Sequence, residues 1–125
     1  MQIIDHNGMN LTNKMLQLRA TGEPTFGGAY HSYEVLIIDK AGLDEPKVIC
    51  NVNFQNGPIA EAGVNGVTQE LLLAIVIDRL AAFQAGNFAC RENAVALTHI
   101  ETALMWLEKR TRDRIKRNVE GVYKP

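Results

Sequence analysis

Two different spacings of apolar residues divide this chain. Up to about Gly57 the apolar positions suit strands. "HSYEVLIIDK" is rich in β-branched and aromatic residues and stops at the turn-forming "AGLDEP". "KVICNVNFQNG" alternates, which predicts Val48, Cys50, Val52 and Phe54 on one face, Ile49, Asn51 and Asn53 on the other, and an Asn-Gly turn after them. "TGEPTFGGAYH", with three glycines and a proline, predicts a loop or a bent sheet edge. "NLTNKMLQLRA" fits either a short helix with Met15 and Leu18 on one side or a strand.

Beyond the connector "NGPIAEAGVNGVT" the pattern becomes helical. Thr68 is a good N-cap, with Gln69 and Glu70 in the first turn; the chain then runs without a breaker from Leu71 to Gln84, and Gly86 ends the helix. After the short turn "QAGNFAC" a second helix spans about Cys90 to Arg117. The fold class is therefore α+β: a small antiparallel sheet over residues 1–66, then an antiparallel two-helix hairpin over residues 67–125, the two forming one domain. There is no internal repeat.

The helices are apolar beyond a single face. Leu71 to Ile77 is an unbroken apolar run, and at about 100° per residue it covers the whole circumference. Ala94 to Leu97 and Ala103 to Leu107 do the same in the second helix. Its partner helix covers one face of each and a small sheet can cover another. The remainder predicts a homo-oligomer, unless the N-terminal half wraps the hairpin completely. At about 1.5 Å per residue the helices measure about 27 Å and about 42 Å, so Lys109 to Arg117 overhang the first helix.

Composition narrows the class. A chain of 125 residues with 46% hydrophobic and 22% charged residues is an ordinary globular protein. The net charge of −1 excludes bulk electrostatic binding of polyanions, but it conceals an asymmetry. Residues 108–117 hold six basic and two acidic residues, a local +4 against −5 elsewhere. Cys50 and Cys90 sit in no CxxC or Cys/His spacing and fit free thiols in a reducing cytoplasm. The N-terminus "MQIIDHNGMN" does not resemble a signal peptide and no apolar run reaches spanning length, so no membrane partner is expected.

Four residues make the most coherent candidate site: Phe83, Asn93, Arg110 and Arg114. Phe83 and Asn93 lie near the hairpin tip, and Arg110 and Arg114, one turn apart on one face, lie at the opposite end. Asn93 and Arg110 are about 25 Å apart along the axis, beyond the reach of a small ligand within one chain. Two hairpins packed antiparallel about a two-fold axis would bring the tip of one to the arginines of the other. Such a group suits a nucleotide: an aromatic ring stacks on a base, an amide reads a base edge, and guanidinium holds phosphate bidentately. Each residue also has a structural reading: Phe83 as core, Asn93 as a first-turn residue making local hydrogen bonds, and the arginines as cations matched to the helix dipole.

Other features carry less. His6, His31 and His99 are scattered and form no metal-ligand pattern. "GVNGVT" resembles a glycine loop before a helix but lacks the lysine of a P-loop, and "FGGAYH" offers Phe26 or Tyr30 beside a permissive backbone. No nucleophile has an evident base and no carboxylate pair sits in an apolar setting, which argues against an enzyme.

The segment from "GVTQELL" to "VEGVY", above all "FACRENA", "ALMWL", "KRTRDR" and "VEGVY", resembles the helical-hairpin domain shared by phage anti-defence nucleotide sponges, the anti-CBASS/Thoeris hairpin family. With a strand-rich half ahead of it, the chain is similar to the Thoeris anti-defence branch. The resemblance implies sequestration without catalysis and without a cofactor. A cyclic ADP-ribose isomer (gcADPR), the Thoeris alarm signal, would be bound intact in the cytoplasm of the infected host and withheld from its effector. Some relatives also take up cyclic di- or trinucleotides in a separate pocket of a larger, hexamer-like assembly. It further implies Phe83 as stacking ring, Asn93 as base-reading amide, and Arg110 and Arg114 as phosphate ligands. No nucleic-acid partner is expected; the alternative is an oligomeric nucleic-acid-binding protein using the basic helix end.

Overall fold

In a computed structural model, which describes residues 1–38 and 45–122, the first half folds as a four-stranded antiparallel sheet. Its strands, adjacent in chain order, are β1 (Gln2–Ile4), β2 (Leu16–Thr21), β3 (Ser32–Ile37) and β4 (Lys47–Asn53). Between β1 and β2 lies the short helix α1 (Leu11–Lys14). The ambiguous segment around it is thus both structures in succession. The Asn10 side chain caps the helix by accepting from the Asn13 N–H at 2.7 Å, the helix ends at Met15, and Leu18 lies in β2. Apart from Glu45 and Pro46, the turn expected in "AGLDEP" lies outside the described residues.

Pairing register gives the sheet one apolar face and one mixed face, the second burying Leu36. Ile4, Leu18, Ala20, Tyr33, Val35, Cys50 and Val52 pair on the first, where Ala20 is fully buried and Tyr33 meets Phe54 edge-on. The second carries Arg19 opposite Glu34, joined at 3.6 Å, and Ser32 bonded to Asn53 at 3.0 Å. One expected alternation fails. Val35 pairs with Cys50 but Leu36 pairs with Val48, so Ile49 is an extra residue in β4. A bulge shifts the parity of its strand, and Val48 therefore lies on the face opposite Cys50.

"GVNGVT" contributes to this same unit, which comprises Met1–Gly57 and Val64–Gly66. The Asn65 side chain accepts from the Asn56 N–H and donates to the Asn56 carbonyl, both at 2.8 Å, as a paired strand would. Gly66 lies against the Phe54 backbone, where an added Cβ would collide with the Phe54 carbonyl group. The glycine serves close packing.

The second unit comprises Pro58–Gly63 and Val67–Pro125. It holds α2 (Ile59–Ala62), a helical turn within the expected connector, followed by α3 (Gln69–Gln84) and α4 (Arg91–Lys116). Thr68 caps α3 as expected, its Oγ1 accepting from the Leu71 N–H at 3.2 Å. The α3–α4 pair forms along a seam of alternating three- and four-residue steps. On α3 the half-buried residues at these steps are Glu70, Leu73, Ile77, Leu80 and Gln84, with Leu72 and Phe83 beside them; on α4 they are Asn93, Leu97, Ile100, Leu104 and Leu107, with Ala96 beside them. Thr111 and the buried Arg114 continue the same steps along the part of α4 that overhangs α3. That spacing keeps one stripe facing the partner helix.

Outside the seam the helices stay apolar and open to solvent. Ile75 and Trp106 are 60% and 61% exposed, and Leu71, Val76, Val95 and Met105 are exposed as well. Thr98 and Thr102 return their hydroxyls to the carbonyls of Ala94 and Thr98, which leaves methyl groups on the surface. Among the described residues this unit buries no hydrophobic side chain completely.

Candidate functional site

The hairpin tip is built from a six-residue connection between the two helices, residues 85–90. Gln84 closes it: its Nε2 donates to the Cys90 carbonyl and its Oε1 accepts from the Cys90 N–H, both at 3.1 Å. Phe83 is half-buried beneath this turn. The Arg79 guanidinium lies over the Phe83 ring, 4.9 Å from its centroid, and Phe88 meets the ring edge-on at 5.8 Å. Neither Arg79 nor Phe88 was singled out by sequence reasoning. Arg79 is one helical turn before Phe83, and that i,i+4 spacing was the available signal.

Asn93 occupies the first seam position of α4. Its backbone N–H donates to the Cys90 Sγ at 3.4 Å, a weak cap, and its side-chain amide bonds to nothing among the described residues. Seventeen residues further on, Arg110 points to solvent and pairs with no carboxylate among the described residues. A single hairpin therefore brings Phe83 and Asn93 to one end and leaves Arg110 about 25 Å away along α4.

Arg114, though on the same face as Arg110, is engaged. It is 8% exposed, and its Nε donates to the Glu120 carboxylate at 3.1 Å while its Nη2 donates to the carbonyls of Val119 and Val122 at 2.8 and 3.0 Å. The chain reaches these positions because α4 ends in a left-handed residue, Asn118 with φ 56°. Asn118 N–H bonds the Ile115 carbonyl and Val119 N–H bonds the Arg114 carbonyl, both at 3.0 Å, a Schellman cap that turns the backbone back along the helix. The Ala60 N–H of α2 then donates to the Gly121 carbonyl at 2.9 Å. "VEGV" is thus folded around Arg114; Tyr123 of the same motif lies outside the described residues.

Among the other basic side chains of this end, Lys109 is paired with Asp113 at 2.9 Å. That hydrogen bond holds the Asp113 carboxyl below the ordinary carboxylate range, outweighing desolvation and helped by the charges of Lys109, Lys116 and Arg112. Arg112 and Lys116, like Arg110, have no carboxylate partner among the described residues. Among the described residues no group of three His, Cys, Asp or Glu side chains gathers as a metal site, and His6 and His31 are each bonded to a backbone carbonyl at 2.9 Å. Nor is any helix long and apolar enough to cross a membrane, again among the described residues.

The family model of the Acb2/Tad1 hairpin domain matches residues 46–112, from the start of β4 almost to the end of α4. The chain belongs to this family. Phe83, Asn93 and Arg110 fall inside the matched span of the Acb2/Tad1 hairpin, and Arg114 lies two residues beyond it. The chain is also similar to "Thoeris anti-defense 1" of Bacillus phage SBSphiJ7, 49% identical over 98 residues. That alignment covers 78% of this chain and 66% of the relative, so the chain spans just under two thirds of the relative's length.

Proposed function

We propose that this Acb2/Tad1 hairpin protein is a phage counter-defence protein that binds the Thoeris alarm signal, a cyclic ADP-ribose isomer, and withholds it from its effector without cleaving it. The observation that carries the reading is the similarity to a phage protein named for acting against Thoeris. The residue chemistry supports it. Phe83 offers a ring, Asn93 an amide with no intramolecular partner among the described residues, and Arg110 an exposed guanidinium, which are groups that bind base and phosphate. Sequestration requires affinity and no selectivity for a transition state.

The site is proposed to form between copies of the chain, in a dimer or a hexamer-like assembly, in the cytoplasm of the infected bacterium. Two antiparallel hairpins bring Phe83 and Asn93 of one copy to Arg110 of another. Arg114 then acts either on a ligand phosphate, exchanging it for Glu120, or by holding the residues that follow α4. The same assembly is the proposed site of any uptake of cyclic di- or trinucleotides.

The test is to incubate protein with signal from an activated Thoeris enzyme, confirm that effector activation is lost, and then heat-denature the protein. Release of intact, active signal supports a sponge. A cleaved product means an enzyme, and an untouched effector response means the protein does not bind the signal. Should DNA or RNA instead bind with a steep salt dependence and the small nucleotide not bind, the exposed Arg110, Arg112 and Lys116 form a nucleic-acid edge.

A further inference from the structure

Phe88 is the most solvent-open aromatic ring at the hairpin tip, 70% exposed, and it is carried on a turn whose backbone is hydrogen-bonded. Two Gln84 hydrogen bonds to Cys90 close the loop on either side of it, the Gly86 N–H bonds the Phe83 carbonyl, and the Ala89 N–H bonds the Gly86 carbonyl. Its ring stands at 85° to Phe83, which is itself half-buried and has Arg79 over one face. An exposed ring on a fixed turn is already ordered for stacking, so little conformational freedom is lost when a flat partner arrives. Arg79 adds a guanidinium with no carboxylate partner among the described residues, one side-chain length from the aromatic pair.

We propose that Phe88 is a second stacking ring of the nucleotide site, taking a purine base on its open surface. In this arrangement Phe83 and Arg79 form the platform that sets the Phe88 ring angle, and Arg79 is a further phosphate ligand. Phe88 gives the ligand a second ring, more open to solvent than Phe83. The inference rests on the sponge reading given above and deepens it.

Titration of the cyclic ADP-ribose isomer into wild-type protein, Phe88→Ala, Phe88→Trp and Phe83→Ala tests it, each with a melting curve and a light-scattering mass. Phe88→Ala should weaken binding by about 5- to 150-fold, the loss of one base stack, with an unchanged melting temperature and mass. Phe88→Trp should keep wild-type affinity or exceed it. Phe83→Ala should lower both affinity and melting temperature, because it removes the platform. Wild-type affinity in Phe88→Ala, with binding lost in Phe83→Ala, overturns the assignment and leaves the sponge intact. A smaller mass in Phe88→Ala overturns it differently, making Phe88 an assembly contact. Absence of binding by the wild-type protein removes both readings.

Discussion

Arg114→Ala is the substitution whose consequence follows most directly from the structure. The side chain is buried and its charge-assisted hydrogen bonds include those to Glu120 and to the carbonyls of Val119 and Val122. Such bonds contribute about 1.5–3 kcal/mol each when desolvated. Discounting is needed because the Glu120 side chain is partly open and Val122 is exposed, so water can reach the abandoned acceptors. A net loss of about 2–4 kcal/mol is therefore expected, a fall in melting temperature of about 8–16 °C at roughly 4 °C per kcal/mol. Arg114→Lys should recover little of it, since an ammonium is a point donor and cannot span three acceptors laid out for a planar fork.

The assay is thermal unfolding by circular dichroism together with amide exchange at Ala60, whose N–H is bonded to the Gly121 carbonyl. Loss of Ala60 protection in Arg114→Ala would show that the tail leaves α2 when its anchor is removed. Signal affinity is measured on the same samples, and Arg110→Ala serves as the contrast. Arg110 is exposed and has no carboxylate partner among the described residues, so its removal should lower affinity with no change in melting temperature. If Arg114→Ala melts as wild type, keeps Ala60 protected and still loses binding, the clasp is incidental and Arg114 meets the ligand directly. Removing both arginines together would confuse these outcomes.

Two further predictions concern the surface and the basic end. At 61% exposure Trp106 leaves about 100–150 Å² open, and covering it in a self-association interface is worth about 2.5–4 kcal/mol. Trp106→Ala should accordingly shift the light-scattering mass toward smaller species at micromolar concentration; an unchanged mass takes Trp106 out of the interface. The Asp113 carboxyl is held below its ordinary range, first by the Lys109 hydrogen bond. Its contribution to stability is therefore present above the ordinary carboxylate range and lost as pH falls through the depressed value. Asp113→Asn should lower stability at neutral pH and converge with wild type in acid, and a constant gap between the two melting profiles from pH 7 to pH 2 would contradict this.

What was legible in the sequence was what local chemistry marks. Thr68 before an unbroken run, and the turn between Gln84 and Cys90, place α3 and α4 to within a residue or two because caps and breakers act on their own neighbours. The bulge at Ile49 left no mark, since an extra residue changes the parity of β4 without changing the kind of residue found there. α2 escaped notice because a single turn has no period to detect. At the candidate site, residue types were legible and their commitments were not. Arg114 and Arg110 look alike in sequence, yet Arg114 is in step with the helical seam and Arg110 is not. Val119 and Val122 hold Arg114 through backbone carbonyls, which every residue possesses and none advertises.

The distribution of these groups bears on how a tight site can be made at all. Nanomolar affinity requires about 12 kcal/mol. One base stack contributes about 1–3 kcal/mol, and a hydrogen bond to a charged group about 1.5–3 kcal/mol. Association itself costs several kcal/mol in lost freedom. Phe83, Phe88, Asn93 and Arg79 at one tip therefore fall short, even if all four act together on one ligand. Arg110 of the same chain is about 25 Å along the helix and cannot make up the difference. Its counterpart on a second hairpin, packed antiparallel as proposed, would add part of what one chain lacks. The exposed apolar surface beyond the seam is of the kind such a pairing would cover. On the proposed reading, surface that would be a liability in a monomer is what brings the remaining charge to the ligand, so ligand affinity and self-association should fail together when that surface is made polar.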